Sequence, residues 1–290
     1  MSLLQDVIAT GRFVAYQPTA LKAVDGKLTE ADDASIRADL ETLRPWFDGL
    51  ITYGAQNGNE RVPDIAAALS FRAVIMGVWD PASAVEMANA LAAWRRNPHI
   101  IAGLSLGNEI VFGNRGTWRD LRAHLDKVRA EAPGLALTVS EPFAEYLDHP
   151  EARAVLDATD FILVNIHPVF ESWFKSGTAD NWTDFVVRVV ARLEAIYARS
   201  ILVKETGVPT GPVSAGFTEE MQRAFYMLLA QRLPPSRTQA FAYFTAFDEP
   251  WRPGDFNPVP GNHPEEAFWG LFTDRRLPKD VMSGLPKLKQ

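Results

Sequence analysis

Cysteine is absent from the 290 residues. That excludes disulfides, thiolate nucleophiles and cysteine-bound metals, and it suits any compartment. Positive charge is in deficit, with 29 Lys and Arg against 36 Asp and Glu and a formal charge of −7. Nucleic-acid binding needs a clustered basic surface, so no nucleic-acid partner is expected. No apolar run approaches the roughly 18 residues that span a bilayer, and no direct membrane insertion is expected. The opening MSLLQDVIATGRF lacks a basic region and is interrupted by Asp6, so no signal peptide is legible. No G-x-G-x-x-G follows the first β-like run, which argues against a dinucleotide-binding sheet. The five histidines show neither H-x-H nor H-E-x-x-H, so no metal site is expected.

What is present is a rhythm. Short apolar runs alternate with helical patterns: RFVAYQP (12–18), GLITYG (49–54), FRAVIMGVW (71–79), IIAGLSLGNE (100–109), ALTVSEP (136–142), FILVNIHP (161–168), SILVKETG (200–207) and QAFAYFTAFDE (239–249). Thr117 and Thr218 stand where helix N-caps belong. The repeat of roughly 30 residues predicts an α/β fold, a (β/α)8 barrel forming one domain over residues 1–290. The runs are continuous rather than alternating, as strands buried on both faces require. The eighth helix is the weakest element, because PVPGNHPEEAFWGLFTDRRLPK is proline-rich.

In such barrels the working face lies at the C-terminal ends of the strands. Read in order, those ends carry Tyr16 and Gln17, Tyr53, Trp79, Asn108 and Glu109, Glu141, Asn165 and His167, Glu205, then Asp248 and Glu249. Glu109 and Glu205 close strands four and seven, on opposite sides of the expected mouth. A lone strand-end glutamate is more often a solvated residue beside a helix start. Two of them, with Asn before one and Thr-Gly after the other, reverse that preference. A carboxyl pair about 5–5.5 Å apart is the apparatus of a retaining glycosidase. The charge of one raises the pKa of the other and keeps a proton available. Asn108 is placed to hydrogen-bond a sugar 2-hydroxyl.

ILVKETGVPT (201–210) resembles the nucleophile signature of glycoside hydrolase family 17, an apolar run followed by Glu-Ser/Thr-Gly-Trp-Pro-Ser/Thr. SLGNE resembles the acid/base motif at strand four of the wider clan, AFDEPWR the Phe-Asp-Glu-x-Trp-Lys segment, and EAFWGLF the segment shortly after it. NIHP resembles the bacterial strand-six end. The resemblance runs from Tyr16 to Phe272. It implies Glu205 as nucleophile, Glu109 as acid/base and no cofactor. It also implies β-1,3-gluco-oligosaccharides as donor and acceptor, acted on by hydrolysis or by glucanosyl transfer. Three positions depart from the pattern: Val208 replaces the signature tryptophan, Ile51 the usual Arg, and Arg252 the Lys.

Sugar rings present apolar C–H faces to flat side chains, and Trp173, Trp251 and Trp269 are expected as contacts because they lie in loops beyond strand ends. Trp94 and Trp118 are expected to pack helices. Tyr16 and Tyr53 are expected to line the subsite nearest Glu205. Glu141 and His167 are expected to bind sugar hydroxyls, and Asn165 to join them. Glu249 is read as a substrate contact or an organiser of Glu205, with Arg252. The aromatic loop 169–182 is expected to build an acceptor site, which favours transfer over hydrolysis; a non-catalytic glucan-binding barrel and a metal-dependent hydrolase are the competing readings. A monomer is expected. The substrate class favours a periplasmic or extracytoplasmic setting, the chain being a domain excised from a membrane glucan synthase or a mature form without its leader.

Overall fold

The computed structural model describes residues 3–24, 27–254 and 261–289. Eight parallel strands close into a barrel: β1 (Phe13–Ala15), β2 (Gly49–Ile51), β3 (Ala73–Val78), β4 (Ile101–Asn108), β5 (Leu137–Pro142), β6 (Phe161–Asn165), β7 (Ser200–Glu205) and β8 (Gln239–Tyr243). Neighbours in sequence are neighbours in the sheet, and β8 closes on β1 through Phe13 opposite Ala242. The (β/α)8 class expected from the sequence is the one observed.

The strand runs are largely apolar, and their residues serve two environments. Phe13, Ile51, Ala73, Ile75, Ala102, Leu163, Leu202 and Ala242 pack inside the barrel. Their chain neighbours Val14, Leu50, Val74, Ile101, Val164 and Val203 pack under the surrounding helices. This is the period of two that any strand obeys. Space inside is tight: a side chain at Gly49 would meet the Phe13 ring at 2.5 Å, and one at Gly103 the Phe161 ring at 2.9 Å.

Helix α1 (Leu3–Thr10) precedes the barrel and was not expected from the sequence. It inserts Leu4, Val7 and Ile8 into the interior cluster and plugs the end opposite the strand C-termini. The outer layer comprises α2 (Asp33–Leu43), α3 (Val62–Ala68), α4 (Ala84–Arg96), α5 (Trp118–Glu131), α6 (Phe143–Asp148), α7 (Ala152–Ala158), α8 (Ala179–Glu194) and α9 (Glu219–Arg232). Thr117 caps α5, its hydroxyl accepting from Asp120 N at 3.2 Å while Asp120 accepts from Thr117 N at 3.0 Å. Thr218 caps α9 by accepting from Met221 N at 3.2 Å.

The last unit departs from the pattern. The run expected to continue to Glu249 leaves the sheet after Tyr243. Residues 271 and 272 return and take its backbone groups, with Leu271 N on Thr245 O and Phe272 N on Ala246 O. Among the described residues, the four-residue α10 (Val281–Gly284) stands where an eighth helix would be. Residues 258–260 of the proline-rich stretch lie outside the described residues.

Candidate active site

The C-terminal mouth holds a cavity of about 300 Å³. Strand β4 ends at Asn108, and the next residue, Glu109, has φ 53°. Left-handed backbone at a non-glycine residue costs of order 1–3 kcal/mol and persists only where neighbours enforce it. Here Glu109 N donates to Ser140 O at 2.8 Å and Glu109 O accepts from Gly113 N at 2.9 Å. Glu205 ends β7, in register with Asn165 on β6. Both carboxylates line this one cavity, with Asn108, Asn165, His167, Arg252 and Glu266. Its aromatic wall is Trp79, Phe112, Phe143, Phe170, Phe244 and Trp269.

The two carboxylates occupy unlike surroundings. Burial, then the charge of Glu205, raises the pKa of Glu109, against a hydrogen bond from Asn165 Nδ2 at 2.9 Å and the charges of His167 and Lys204. Burial also pushes the Glu205 carboxyl up, but Lys204, His167 and Arg252 outweigh it and hold the pKa well below the usual carboxylate range. His167 Nε2 lies 3.4 Å from Glu205 Oε2 and Lys204 Nζ lies 3.0 Å from Oε1. The arrangement therefore offers a proton on Glu109 and a free charge on Glu205 at the same pH, the division of labour that acid and nucleophile need.

A larger cavity, about 580 Å³, opens at the opposite end of the barrel, beside α1 and the start of β7. The one carboxylate lining it among the described residues is Asp160, which is spent on Arg129 at 2.9 Å and on Leu137 N. It holds no pair for acid–base work.

The structure brings Asn108, Asn165, His167 and Trp269 into the cavity with the two glutamates. Tyr53 lies beneath, its ring centroid 4.2 Å from Lys204 Nζ and its buried hydroxyl without a hydrogen-bond partner among the described residues. Glu249 pairs with Arg252 at 3.2 Å, and Arg252 Nε reaches Glu266 at 3.5 Å. Glu249 is thus joined to the cavity through Arg252, which lines it.

Four expected contacts are corrected. Tyr16 is 0 % exposed and donates to Asp39 of α2 at 2.9 Å. With Phe13 and Ala15 inside the barrel, the strand period sends residues 14 and 16 outward. Glu141 is also 0 % exposed. It follows the same parity on β5, pointing away from the mouth and accepting from Val111 N at 3.0 Å and Phe112 N at 3.3 Å. Trp173 packs edge-on against Phe185 of α8, ring centroids 5.4 Å apart. Trp251 lines a separate cavity of about 270 Å³ with Gln17, Lys22 and Glu249.

The loop 169–182 is accordingly not the aromatic platform expected. Phe174 stacks on Trp182 at 4.6 Å, and of its four large aromatics only Phe170 reaches the cavity. Residues missed from sequence include Lys204, Arg115, Phe112, Phe143, Phe244 and Glu266. Lys204 was legible by parity, since Leu202 faces inward and Lys204 is two residues on. The others depend on loop paths that leave no local pattern.

A closed eight-stranded barrel with a carboxylate pair at the C-terminal mouth is an arrangement that glycoside hydrolases use. The chain belongs to glycoside hydrolase family 17, through the BtgE/BtgC glycoside hydrolase domain, whose family profile matches residues 14–270. It is 25% identical over 274 residues to a glucan 1,3-beta-glucosidase of Arthroderma benhamiae, covering 89% of this chain and 87% of that one. The fold resembles a family 17 beta-1,3-glucanosyltransferase of Rhizomucor miehei, with TM-score 0.70, 20% identity and coverage of 93% and 96%. It also resembles an endo-laminarinase of Formosa Hel1_33_131, with TM-score 0.70, 17% identity and coverage of 97% and 88%. Among the described residues no helix is long and apolar enough to cross a membrane.

Proposed function

We propose that the protein is a retaining enzyme on β-1,3-glucan that transfers a glucan segment between laminari-oligosaccharides, with Glu205 as nucleophile and Glu109 as acid and base. The observation that carries this reading is the opposite bias of two carboxylates lining one cavity, the pKa of Glu205 pushed down and that of Glu109 pushed up. In the first step a Glu205 oxygen bonds to the anomeric carbon. The glycosidic C–O bond breaks, and the Glu109 proton passes to the leaving oxygen. In the second step Glu109 takes a proton from the incoming hydroxyl. That oxygen bonds to the anomeric carbon, and the ester to Glu205 breaks. Asn108 would donate to the 2-hydroxyl of the reacting sugar.

The leaving group and the acceptor lie on the acid/base side of the cavity. Three aromatics that follow β3, β4 and β5 surround that side: Trp79, Phe112 and, at the start of α6, Phe143. Trp79 is 46 % exposed, a large apolar face open to a sugar ring. This supports an acceptor sugar over water and replaces the argument from loop 169–182. Hydrolysis uses the same two carboxylates and is the second reading, since the A. benhamiae relative is named a glucosidase. β-1,3-Glucan lies outside the cytoplasm, so an extracytoplasmic setting belongs to the proposal.

Mass and linkage analysis of products from laminaripentaose tests it. Products longer than the donor are expected; release of shorter oligosaccharides alone overturns transfer and leaves hydrolysis. E205Q is expected to abolish turnover, and a 2-fluoro donor to label Glu205. Full activity in that variant removes the assignment of the nucleophile.

A further inference from the structure

Lys204 is 2 % exposed, beneath the cavity floor, in a strand whose other residues are largely apolar. Removing an ammonium from water costs several kcal/mol even after relaxation, so a buried lysine persists only with close partners. Its Nζ lies 2.6 Å from Asn108 Oδ1, 3.2 Å from Ser140 Oγ and 3.0 Å from Glu205 Oε1. Two hydrogen bonds, to Asn108 and Ser140, and an ion pair with Glu205 thus surround the ammonium. The Tyr53 ring, centroid 4.2 Å away, closes the remaining side. A fold that needed only packing here would be served by the apolar residues used elsewhere on β7.

We propose that Lys204 is a positioning residue of this site, a single ammonium that fixes the Glu205 carboxylate and the Asn108 side-chain amide in one arrangement. The proposal rests on the reading of Glu205 as nucleophile. The amide follows from geometry. Asn108 Oδ1 accepts from Lys204, and from Ser140 Oγ at 3.1 Å. Its oxygen is thereby turned to the barrel interior, and its NH2 is left for the cavity that Asn108 lines. Without the ammonium only Ser140 Oγ at 3.1 Å and Asn165 Nδ2 at 3.5 Å hold that oxygen inward, and the amide is more readily reversed. The Glu205 carboxylate keeps Oε2 toward His167 while Oε1 is held by Lys204.

The groups that face this pair come from every neighbouring strand end. They are Tyr53 after β2, Glu109 after β4, His167 after β6, and Glu249 and Arg252 after β8. Lys204 interacts with both Glu205 and Glu109. As the negative charge leaves Glu205 in the ester and appears on Glu109, the same ammonium still feels a carboxylate charge, without a direct contact to it.

The test uses K204M and K204Q with an aryl β-laminaribioside and its 2-deoxy analogue. K204M removes charge and hydrogen bonds; K204Q keeps a polar group of similar reach if K204M fails to fold. Both are expected to lower kcat/KM by about 10²–10³. They are also expected to move its acid limb up by about 1–3 pH units, since the nucleophile loses a close positive charge. The wild-type preference for the 2-hydroxy substrate is expected to shrink in both. An acid limb and a 2-hydroxyl preference like those of the wild type, in a folded variant, overturn the proposal. E205G assayed with azide separates the two readings. An α-glycosyl azide product identifies the nucleophile whatever Lys204 does, and its absence, with turnover retained, removes the assignment of Glu205 itself.

Discussion

Asn165 donates its side-chain amide to Glu109 Oε1 at 2.9 Å while its backbone stands in register with Glu205. One residue on β6 therefore ties Glu109, just after β4, to the strand that carries Glu205. Its hydrogen bond lowers the pKa of Glu109, which burial and Glu205 raise. N165A is expected to raise that pKa, because the ionised form loses a donor. The alkaline limb of kcat/KM then moves to higher pH. A general acid left free to rotate is expected to lower kcat by about 10²-fold, within the range such proton transfers contribute. A pH–rate profile checks both.

Glu141 has no path to a sugar, but two backbone N–H groups depend on it. E141A leaves the N–H groups of Val111 and Phe112 without their acceptor, at a cost of about 1–3 kcal/mol each. Burial raises the Glu141 pKa to about 8, against those two hydrogen bonds. Between the ordinary glutamate value of about 4.3 and that value the folded state binds more protons than the unfolded state. Stability from this group is thus fullest at low pH and falls as pH rises toward 8. E141Q is expected to flatten that fall in Tm, measured by thermal unfolding across the range.

Arg252 separates two carboxylates, Glu249 at 3.2 Å and Glu266 at 3.5 Å, and helps to hold Glu205 ionised. R252A is expected to raise KM and to move the acid limb upward. R252K keeps the charge without the planar fork that meets both partners, so partial recovery is expected.

Trp79 is partly covered by the Arg115 guanidinium, 4.7 Å from its ring centroid. If its face receives the acceptor sugar, W79A is expected to weaken transfer by roughly 1–2 kcal/mol, about 5- to 30-fold, relative to hydrolysis. Product ratios at fixed donor and varied acceptor measure this.

Ile8 of α1 is fully buried in the barrel floor. I8A is expected to cost about 2–5 kcal/mol of stability, with no change in the pH profile of turnover. Denaturant unfolding beside a pH–rate curve separates the two effects.

Much of the barrel was readable because most strands are largely apolar runs and several helix starts carry a cap such as Thr117 or Thr218. The mouth was readable at Glu109 and Glu205, where a charge ends such a run. Strand parity, applied to Tyr16 and Glu141, would have turned both away from the site, and applied to Lys204 would have turned it inward. The aromatics were not readable in this way. Trp173 and Trp269 both follow strand ends, yet one meets Phe185 and the other His167, partners distant in the chain.

The sequence by itself determined the strand runs, the helix caps and the chemical types of the strand-end residues, because these depend on local periodicity and on side chains a few positions apart. Only the tertiary structure decided that Asn108 and Glu205 share the Lys204 ammonium, that Glu141 serves a backbone turn, and that α1 fills the barrel floor. Each of those depends on closure of the sheet, which places residues far apart in the chain within hydrogen-bond reach and removes the water that would otherwise screen their charges.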